Sequence, residues 1–151
     1  MAYEQIKLQN QICFRLYTAS RLITQAYEPF LRPLGITYTQ YLVLMVLWET
    51  DNQPVNDIAH KLLLETNTVT PLIQRMEREG IVNRTKGKVD TRQTIVSLTA
   101  HGKDLREQSV GIPDCMLEIL CGNGVHESSI AEILPLLDEL IDSLKKREKD
   151  N

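Results

Sequence analysis

The sequence contains few of the residues that mark flexible linkers and fibrous repeats, with seven glycines and six prolines in 151 residues. This scarcity and the lack of an internal repeat exclude a low-complexity linker, a fibrous protein and a repeat array. The chain also lacks a long hydrophobic run, since Leu42 to Leu47 is far shorter than the roughly 20 residues that span a bilayer. Its first residues show no basic segment followed by an apolar one. We therefore expect no export signal, no membrane partner and a cytoplasmic location.

Cysteine is scarce and basic residues do not predominate. The three cysteines are Cys13, Cys115 and Cys121, an odd number, and a reducing compartment keeps thiols free. They do not form a structural disulfide framework, so each is either a buried filler or a reactive thiol. The net charge of −3 argues against a protein that coats nucleic acid without selectivity.

The charged residues are distributed unevenly along the chain. Between Gln74 and Arg92 lie six basic and three acidic residues, so this stretch carries +3 and the remainder of the chain −6. A local basic patch on an acidic body is typical of a small, defined phosphate-binding face. The 42% hydrophobic and 25% charged content is that of one globular domain with a sizeable core.

Hydrophobic spacing predicts four helices in the first half of the chain. Apolar residues recur every three or four positions from Leu8 to Phe30, which indicates one long helix. A capping box at Thr37 and Gln40 begins the second helix, and a tight turn separates two shorter helices that follow. Gly80 ends the last of these. The predicted helices cover residues 8–30, 37–48, 55–62 and 66–79.

The period then changes to that of strands. Residues 81–85 and 94–98 are β-branched and alternating, and the polar, basic segment 86–92 between them predicts a hairpin with a protruding tip. Thr99 can cap a fifth helix, which must bend or step near residues 111–113 because Pro113 interrupts it.

Two glycines and a further capping motif organise the C-terminal part. Residues 122–124 break the chain, and a second capping box at Ser129 and Glu132 opens a sixth helix. The apolar stripe of that helix runs from Ile130 to Leu144. The predicted fold is mainly α with a small β-hairpin, with six helices around it.

Two short helices joined by a tight turn and followed by a basic hairpin predict a winged helix-turn-helix. The outward face of the fourth helix carries hydroxyls, amides and arginines that can contact base edges and phosphates. At the hairpin tip, Arg92 can enter a minor groove. The alternative is a solvated helix face beside a charged turn, which the combination of helix and hairpin disfavours. The candidate residues are Asn67, Thr70, Pro71, Gln74, Arg75 and Arg78 on the helix, and Arg84, Lys86 and Lys88 on the hairpin.

Cys13 lies beside the apolar stripe of the first helix, with Tyr17 one turn later on the same side. Tyr27 lies further along that helix, and Tyr38 begins the next. A thiolate inside a helix gains nothing from the dipole of a helix N-terminus, so it needs other donors, such as tyrosine hydroxyls. The alternative role of an isolated cysteine is that of a small buried hydrophobe.

A joint pattern of motifs extends over roughly residues 8 to 106. Its segments are Asn10-Gln11-Ile12-Cys13-Phe14-Arg15-Leu16-Tyr17, residues 34–44, Leu47-Trp48-Glu49, residues 68–72, Arg75-Met76-Glu77, Asp90-Thr91-Arg92 and residues 96–99. In these segments the sequence resembles the organic hydroperoxide resistance regulators, a branch of the multiple-antibiotic-resistance regulator (MarR) family. The segment around the cysteine separates this branch from relatives that respond to phenolic ligands.

The resemblance implies an intertwined homodimer whose first and last helices interlock and whose two winged lobes bind a pseudo-palindromic operator in double-stranded DNA. The implied single domain spans residues 1–151, with a dimerisation region at 1–36 and 104–151 and a DNA-binding lobe at 37–103. In the lobe, Asp90 and Arg92 fall on the family's wing motif. The family often has Asp-Ser-Gly where this chain has Glu65-Thr66-Asn67, and its wing is usually more basic. The start of the implied recognition helix carries Thr66, Thr68 and Thr70.

The resemblance further implies that Cys13 is the peroxidatic thiol. Tyr17 matches a tyrosine of the cysteine's own helix, while Tyr27 and Tyr38 match two whose hydroxyls hold the thiol, partly across the dimer. In one variant of the chemistry a small thiol caps the oxidised cysteine, and in the other a second cysteine resolves it. Cys121, beside the glycine break, and then Cys115 are the candidates for that second cysteine.

The predicted function is therefore a transcription repressor that senses organic hydroperoxides and releases its operator, not an enzyme, with no cofactor and no metal. The main alternative is a MarR regulator controlled by a small aromatic or drug-like ligand, with Cys13 as packing. A thiol peroxidase is a further class, which the absence of Cys-x-x-Cys and the presence of a basic wing disfavour. A zinc module of Cys115, Cys121 and His126 has poor ligand spacing and lacks a fourth ligand.

Overall fold

The computed structural model describes residues 3–149, so the two ends of the predicted domain, residues 1–2 and 150–151, lie outside the described residues. The chain divides into two compact units, Met1–Val110 and Gly111–Asn151. The first unit contains α1 (Ile12–Leu31), α2 (Tyr38–Glu49), β1 (Gln53–Pro54), α3 (Val55–Leu62), α4 (Thr66–Arg78), β2 (Val82–Lys86), β3 (Thr94–Leu98) and α5 (Ala100–Ser109). The second unit contains α6 (Ile112–Gly122) and α7 (Glu127–Lys149). The mainly α fold is confirmed.

The first helix begins at Ile12, so the prediction of a helix from Leu8 was wrong for its first turn. Two short 3-10 turns, Glu4–Ile6 and Leu8–Asn10, precede it. The side-chain amide of Asn10 donates to the Glu4 carbonyl (2.7 Å), and that of Gln11 donates to the Gln5 carbonyl (2.7 Å). These bonds compete with the helical ladder and hold the chain in turns.

The helix-turn-helix forms where the sequence predicts it. The capping box at the start of α2 is present, with Gln40 N donating to Thr37 Oγ1 and Thr37 N to Gln40 Oε1. After α3 the chain turns through Leu63, whose backbone is left-handed (φ 55°). Gly80 (φ 74°) ends α4 as predicted, because Gly80 N and Ile81 N donate to the carbonyls of Glu77 and Met76 in the Schellman arrangement.

The hairpin belongs to a three-stranded antiparallel sheet of order β1-β3-β2. Residues Val82–Lys86 pair with Thr94–Leu98, and the register places Arg84 opposite Val96. The sequence prediction missed β1, in which Gln53 pairs with Val96 and Pro54 with Ile95. Proline is tolerated there because β1 is an edge strand.

The helix α5 packs against the sheet through a glycine. A Cβ atom at Gly102 would overlap the Ile81 carbonyl oxygen and lie 3.0 Å from Leu98 Cδ2. The Trp48 indole donates to the Gly102 carbonyl (3.0 Å), and Thr99 Oγ1 accepts from Gly102 N (3.1 Å). Thr99 is thus the predicted cap. These contacts join α2, α5 and the wing, which is the hairpin of β2 and β3, in one core.

The predicted step of the fifth helix is confirmed, since α5 ends at Ser109 and α6 begins at Ile112 with Pro113 in its first turn. The capping box at Ser129 was wrong. The backbone N–H groups of Ser129 and Ile130 both donate to the His126 carbonyl, so Ser129 lies inside the first turn of α7. The helix begins at Glu127, three residues before the predicted first residue Ile130, and the acidic Glu127 suits the positive end of the helix dipole.

Buried side chains are distributed unevenly among the described residues. Core side chains such as Leu44, Ile58 and Ile73 are fully buried in the first unit, whereas α7 contains no buried residue. Across residues 3–149 no single helix has the length and apolarity to cross a membrane. The stretches Ile12–Leu34 and Tyr38–Glu49, which meet at a 73° bend, reach that threshold only as a pair.

Candidate DNA-binding face and redox centre

The helix α4 presents two different faces. Val69, Ile73 and Met76 are fully buried and fix the helix on the core. The opposite face is exposed at Asn67, Thr68, Pro71, Arg75 and Arg78, while Thr70 and Gln74 are half-buried. The predicted DNA contacts on α4 therefore lie on one face. The hydroxyls of Thr66 and Thr70 differ from the others because they already have protein partners.

Those two hydroxyls make local bonds at the start of α4. Thr70 Oγ1 donates to the Thr66 carbonyl (2.9 Å), and Thr66 Oγ1 donates to Oδ1 of Asn56 on α3 (3.1 Å). The sequence pattern does not point to Asn56, because only the contact between α3 and α4 brings this residue to the start of α4.

The tip of the wing is a closed loop. Gly87 N donates to the Gln93 carbonyl (2.9 Å) and Gln93 N to the Asp90 carbonyl (3.1 Å). A Cβ atom at Gly87 would overlap the Asp90 carbonyl oxygen, so the loop closes this tightly only around glycine. The lysines on either side, Lys86 and Lys88, are exposed.

Arg92 projects from this loop with 91% of its side chain exposed. Asp90 Oδ1 accepts from the backbone N–H of Arg92 (3.0 Å) and from its Nε (3.2 Å). One edge of the guanidinium is thus oriented by Asp90, and the remaining N–H donors point away from that partner. This geometry suits an arginine that enters a DNA groove, with Asp90 as the residue that positions it.

Arg84 has a different role from the other basic residues of the wing. Its Nε and Nη2 donate to Glu77 Oε1 on α4 (3.2 and 3.1 Å), and its backbone N–H donates to Glu77 Oε2 (3.0 Å). The side-chain bond from Arg84 is the main reason why the pKa of Glu77 lies below its ordinary value of 4.5. The pair links β2 to α4, a contact that the sequence did not predict.

A groove of about 490 Å³ lies between these elements. One wall comes from α3 and α4, including Asn56, Thr66 and Thr70, and the other from the wing, including Arg84 and Arg92. The groove therefore joins predicted contacts from the helix-turn-helix and from the hairpin.

The second predicted site contains three clustered tyrosines. The ring centroids of Tyr27 and Tyr38 lie 4.9 Å apart, and Tyr41, which the sequence analysis did not single out, lies 5.8 and 6.4 Å from them. Burial raises the pKa of Tyr38 above 10.0; burial and then Tyr38 raise that of Tyr27. Burial, then Tyr27 and Tyr38, raise the pKa of Tyr41. The three hydroxyls thus remain protonated donors at neutral pH.

Cys13 is exposed and is the second residue of α1. The prediction that it lies inside a helix, away from the N-terminal dipole, was wrong, because the helix begins at Ile12. A thiolate at this position lies near the positive end of the dipole. Tyr17, one turn later, is 68% exposed.

One chain does not bring Cys13 to the tyrosine cluster. Cys13 and Tyr27 are fourteen residues apart on the same helix, which corresponds to about 21 Å along its axis. A thiol–tyrosine site therefore requires a second copy of the chain or a large change in α1.

The other two cysteines lie half-buried on α6. Cys121 lies six positions after Cys115, about 9 Å along a helix, whereas disulfides require Cα atoms within about 7 Å. They cannot bridge each other in this helix. Among residues 3–149 there is no cluster of three or more histidine, cysteine or acidic side chains arranged for a metal ion.

A second groove, of about 450 Å³, lies beside Tyr38 between α1 and α2. Its volume is in the range of small-molecule sites. Its lining includes Leu31, Ile36 and Tyr38, with Glu28 and Arg32 at the polar side.

Comparisons with known proteins agree with this architecture. A family model described as "Transcriptional regulator SarA/Rot" matches residues 25–108. The organic hydroperoxide resistance transcriptional regulator of Bacillus subtilis (strain 168) is 37% identical over 139 residues, which cover 92% of this chain and 95% of that protein. The relatives found are transcriptional regulators rather than enzymes.

Solved structures of AbfR, a protein of Staphylococcus epidermidis, are also similar. Reduced AbfR bound to DNA is 38% identical with a TM-score of 0.73, and overoxidised AbfR bound to DNA is 38% identical with a TM-score of 0.75. Both comparisons cover 97% of this chain and 98% of the other. A disulfide form of AbfR is 39% identical, with a TM-score of 0.57 and coverage of 91% and 95%.

Proposed function

The chain belongs to the MarR family of transcriptional regulators, in its organic hydroperoxide resistance branch, and on this premise we propose that it is a cytoplasmic, homodimeric repressor. It binds a pseudo-palindromic operator and releases it when an organic hydroperoxide oxidises Cys13. The observation that carries the DNA-binding half is the exposed Arg92, which Asp90 orients and which lines one groove with Thr66 and Thr70 of α4. The presence of DNA in the AbfR structures supports the same activity.

The proposed dimer is supported by apolar surface that one chain leaves uncovered. On α1, Ile12 is 66% exposed, and on α7, Leu134 and Leu144 are more than half exposed. Continuous apolar faces of this kind mark interaction surfaces. A homodimer that covers them also offers a way to bring Cys13 of one protomer to the tyrosine cluster of its partner, which one chain does not do.

The proposed sensing step is a two-electron oxidation. The Cys13 thiolate attacks the terminal oxygen of the hydroperoxide, the O–O bond breaks, and the alkoxide leaves and takes up a proton to give an alcohol. Cys13 becomes a sulfenic acid. Cys13 is exposed in the first turn of α1, where the oxidant can reach it, and the neutral tyrosine hydroxyls are donors for the oxygen that develops charge.

Release requires a second event in this proposal, because one added oxygen changes the shape of the site little. A thiol attacks the sulfenic sulfur, a disulfide forms, and water leaves. The incoming thiol is a small cellular thiol, Cys121 or Cys115. Overoxidised AbfR is found on DNA, and AbfR also has a disulfide form, which together favour a disulfide as the releasing state.

The function is tested with DNA that the protein itself selects. Reduced protein is used to enrich duplexes from a random pool, and binding of the enriched duplex is followed by fluorescence anisotropy. We expect nanomolar binding at physiological salt, a two-fold symmetric footprint, and dissociation after addition of cumene hydroperoxide together with a small thiol. Failure to enrich any sequence, or a complex that survives the oxidant, would refute the proposal.

Intact mass under the same conditions separates the two chemistries. A small-thiol cap adds the mass of that thiol to each chain, whereas an intermolecular disulfide gives a covalent dimer that Cys121→Ser or Cys115→Ser abolishes. Each cysteine variant is the matched control of the other. If neither substitution changes the product, the second cysteine takes no part and the cap is the releasing modification.

The ligand-controlled alternative has one observation in its favour, the groove of about 450 Å³ beside Tyr38. It predicts that an aromatic acid dissociates the complex of a Cys13→Ser variant. The redox proposal predicts that this variant remains bound in the presence of hydroperoxide.

A further inference from the structure

Asn56 stands outside all contacts that the sequence predicts, and its side chain lies at the start of the recognition helix. It is the second residue of α3 and is exposed. Its Oδ1 accepts from Thr66 Oγ1 at 3.1 Å. The carbonyl oxygen of the amide is thus engaged, whereas the two N–H donors of Nδ2 have no protein acceptor within residues 3–149.

The surroundings of Asn56 are suited to an anion. It lines the groove of about 490 Å³ together with Arg84 and Arg92. Each arginine has a carboxylate partner on one edge of its guanidinium, at Glu77 and Asp90, and keeps further N–H donors. Amide and guanidinium donors on opposite walls match an acceptor such as a phosphate oxygen.

The position of α3 decides between phosphate and base. In a helix-turn-helix the second helix enters the major groove, while the first helix crosses the DNA backbone. Asn56 lies on that first helix, and the groove that it lines separates α4 from the wing. A DNA strand that lay between these two elements would therefore present its backbone, rather than its base edges, to Asn56.

Resting on the proposed DNA-binding function, we propose that Asn56 donates from Nδ2 to a backbone phosphate of the operator, and that Thr66 positions it. The assignment changes the role predicted for Thr66. Its hydroxyl fixes the Asn56 amide and does not itself contact DNA.

The test measures affinity of the full-length protein for two duplexes of equal length, one enriched by the reduced protein and one scrambled. We expect Asn56→Ala to weaken binding to both by the same factor, about tenfold, as for a hydrogen bond to a charged group. Asn56→Asp places a carboxylate against the phosphate and weakens both further. The matched control is Asn83→Asp, which adds the same charge at an exposed position of β2 outside the groove lining, and we expect it to change affinity by less than twofold.

The role of Thr66 is tested by a double-mutant cycle. Thr66→Ser keeps the hydroxyl and should bind like the parent, whereas Thr66→Val should weaken binding to both duplexes. In the Asn56→Ala background, Thr66→Val should have no further effect. A purely structural role would lower the melting temperature of the free protein and would add to the effect of Asn56→Ala.

Each possible result is decisive. An unchanged affinity of Asn56→Ala, or equal losses in Asn56→Asp and Asn83→Asp, overturns the contact. A loss confined to the enriched duplex assigns Asn56 to a base and overturns the phosphate contact. If the parent protein binds neither duplex, the proposed function fails before Asn56 is reached.

Discussion

At Gly102 we expect replacement of glycine by alanine to lower the free energy of unfolding, which is the opposite of its usual effect in a helix. In a helix, alanine normally stabilises relative to glycine by about 1 kcal/mol. At Gly102, however, a Cβ atom overlaps the backbone carbonyl oxygen of Ile81, which cannot rotate away, and lies 3.0 Å from Leu98 Cδ2. Overpacking of this kind costs about 1–3 kcal/mol.

The shift that relieves the overlap also disturbs the bond from Trp48 Nε1 to the Gly102 carbonyl, which is worth about 1 kcal/mol. The two losses exceed the helical gain, so we expect Gly102→Ala to destabilise the protein by about 2 kcal/mol. The matched control is Gly122→Ala in α6, where a Cβ atom meets nothing within 4 Å; there we expect a gain of about 0.5 kcal/mol.

Urea unfolding, followed by the fluorescence of Trp48 at one fixed protein concentration, measures both variants. The midpoint should fall by about 1 M for Gly102→Ala and rise slightly for Gly122→Ala. Gly102→Ala with a midpoint equal to or above that of the parent would refute the packing argument.

Three further predictions concern the wing, the assembly and the tyrosines. Arg92→Ala should weaken binding to all DNA sequences and flatten the dependence of affinity on salt, and an unchanged affinity at physiological salt contradicts it. Light scattering at micromolar concentration should give the mass of a dimer; a monomer that still binds DNA contradicts the assembly. Since burial raises the pKa values of the clustered tyrosines, including Tyr38, their contribution to stability is full below pH 10.0 and falls as pH rises through the folded pKa values. Absorbance at 295 nm during alkaline titration measures the ionisation of the tyrosines. Ionisation of all tyrosines at or below pH 10.0 contradicts the raised pKa values.

Local signals in the sequence account for most of the fold. The capping box of Thr37 and Gln40, the glycine stop at Gly80 and the alternation in residues 94–98 each specify an element through nearest neighbours. The errors arose where two local signals compete. Asn10 and Gln11 bond to backbone carbonyls before α1 and delay its start, although the apolar period already begins at Leu8.

The site was less predictable because its decisive contacts join distant segments. Tyr41 joins Tyr27 and Tyr38 only when α1 packs on α2, and Glu77 meets Arg84 only when the wing folds back on α4. The bond from Thr66 to Asn56 crosses from one helix to another. Spacing rules apply within one helix or strand, so they do not predict these pairs. In contrast, the motifs around Cys13 and Arg92 consist of residues that are adjacent in the sequence, and they therefore indicate the family without knowledge of the fold.

In the proposed function, oxidation of Cys13 is the event that releases the operator. Its most direct test is the anisotropy of the enriched duplex on parent protein and on Cys13→Ser, before and after one equivalent of cumene hydroperoxide per chain in the presence of a small thiol. Serine keeps the size of the side chain but cannot be oxidised in this way. We predict equal affinity before oxidation, dissociation of the parent and retention of Cys13→Ser; a Cys13→Ser complex that dissociates with the oxidant would contradict the account.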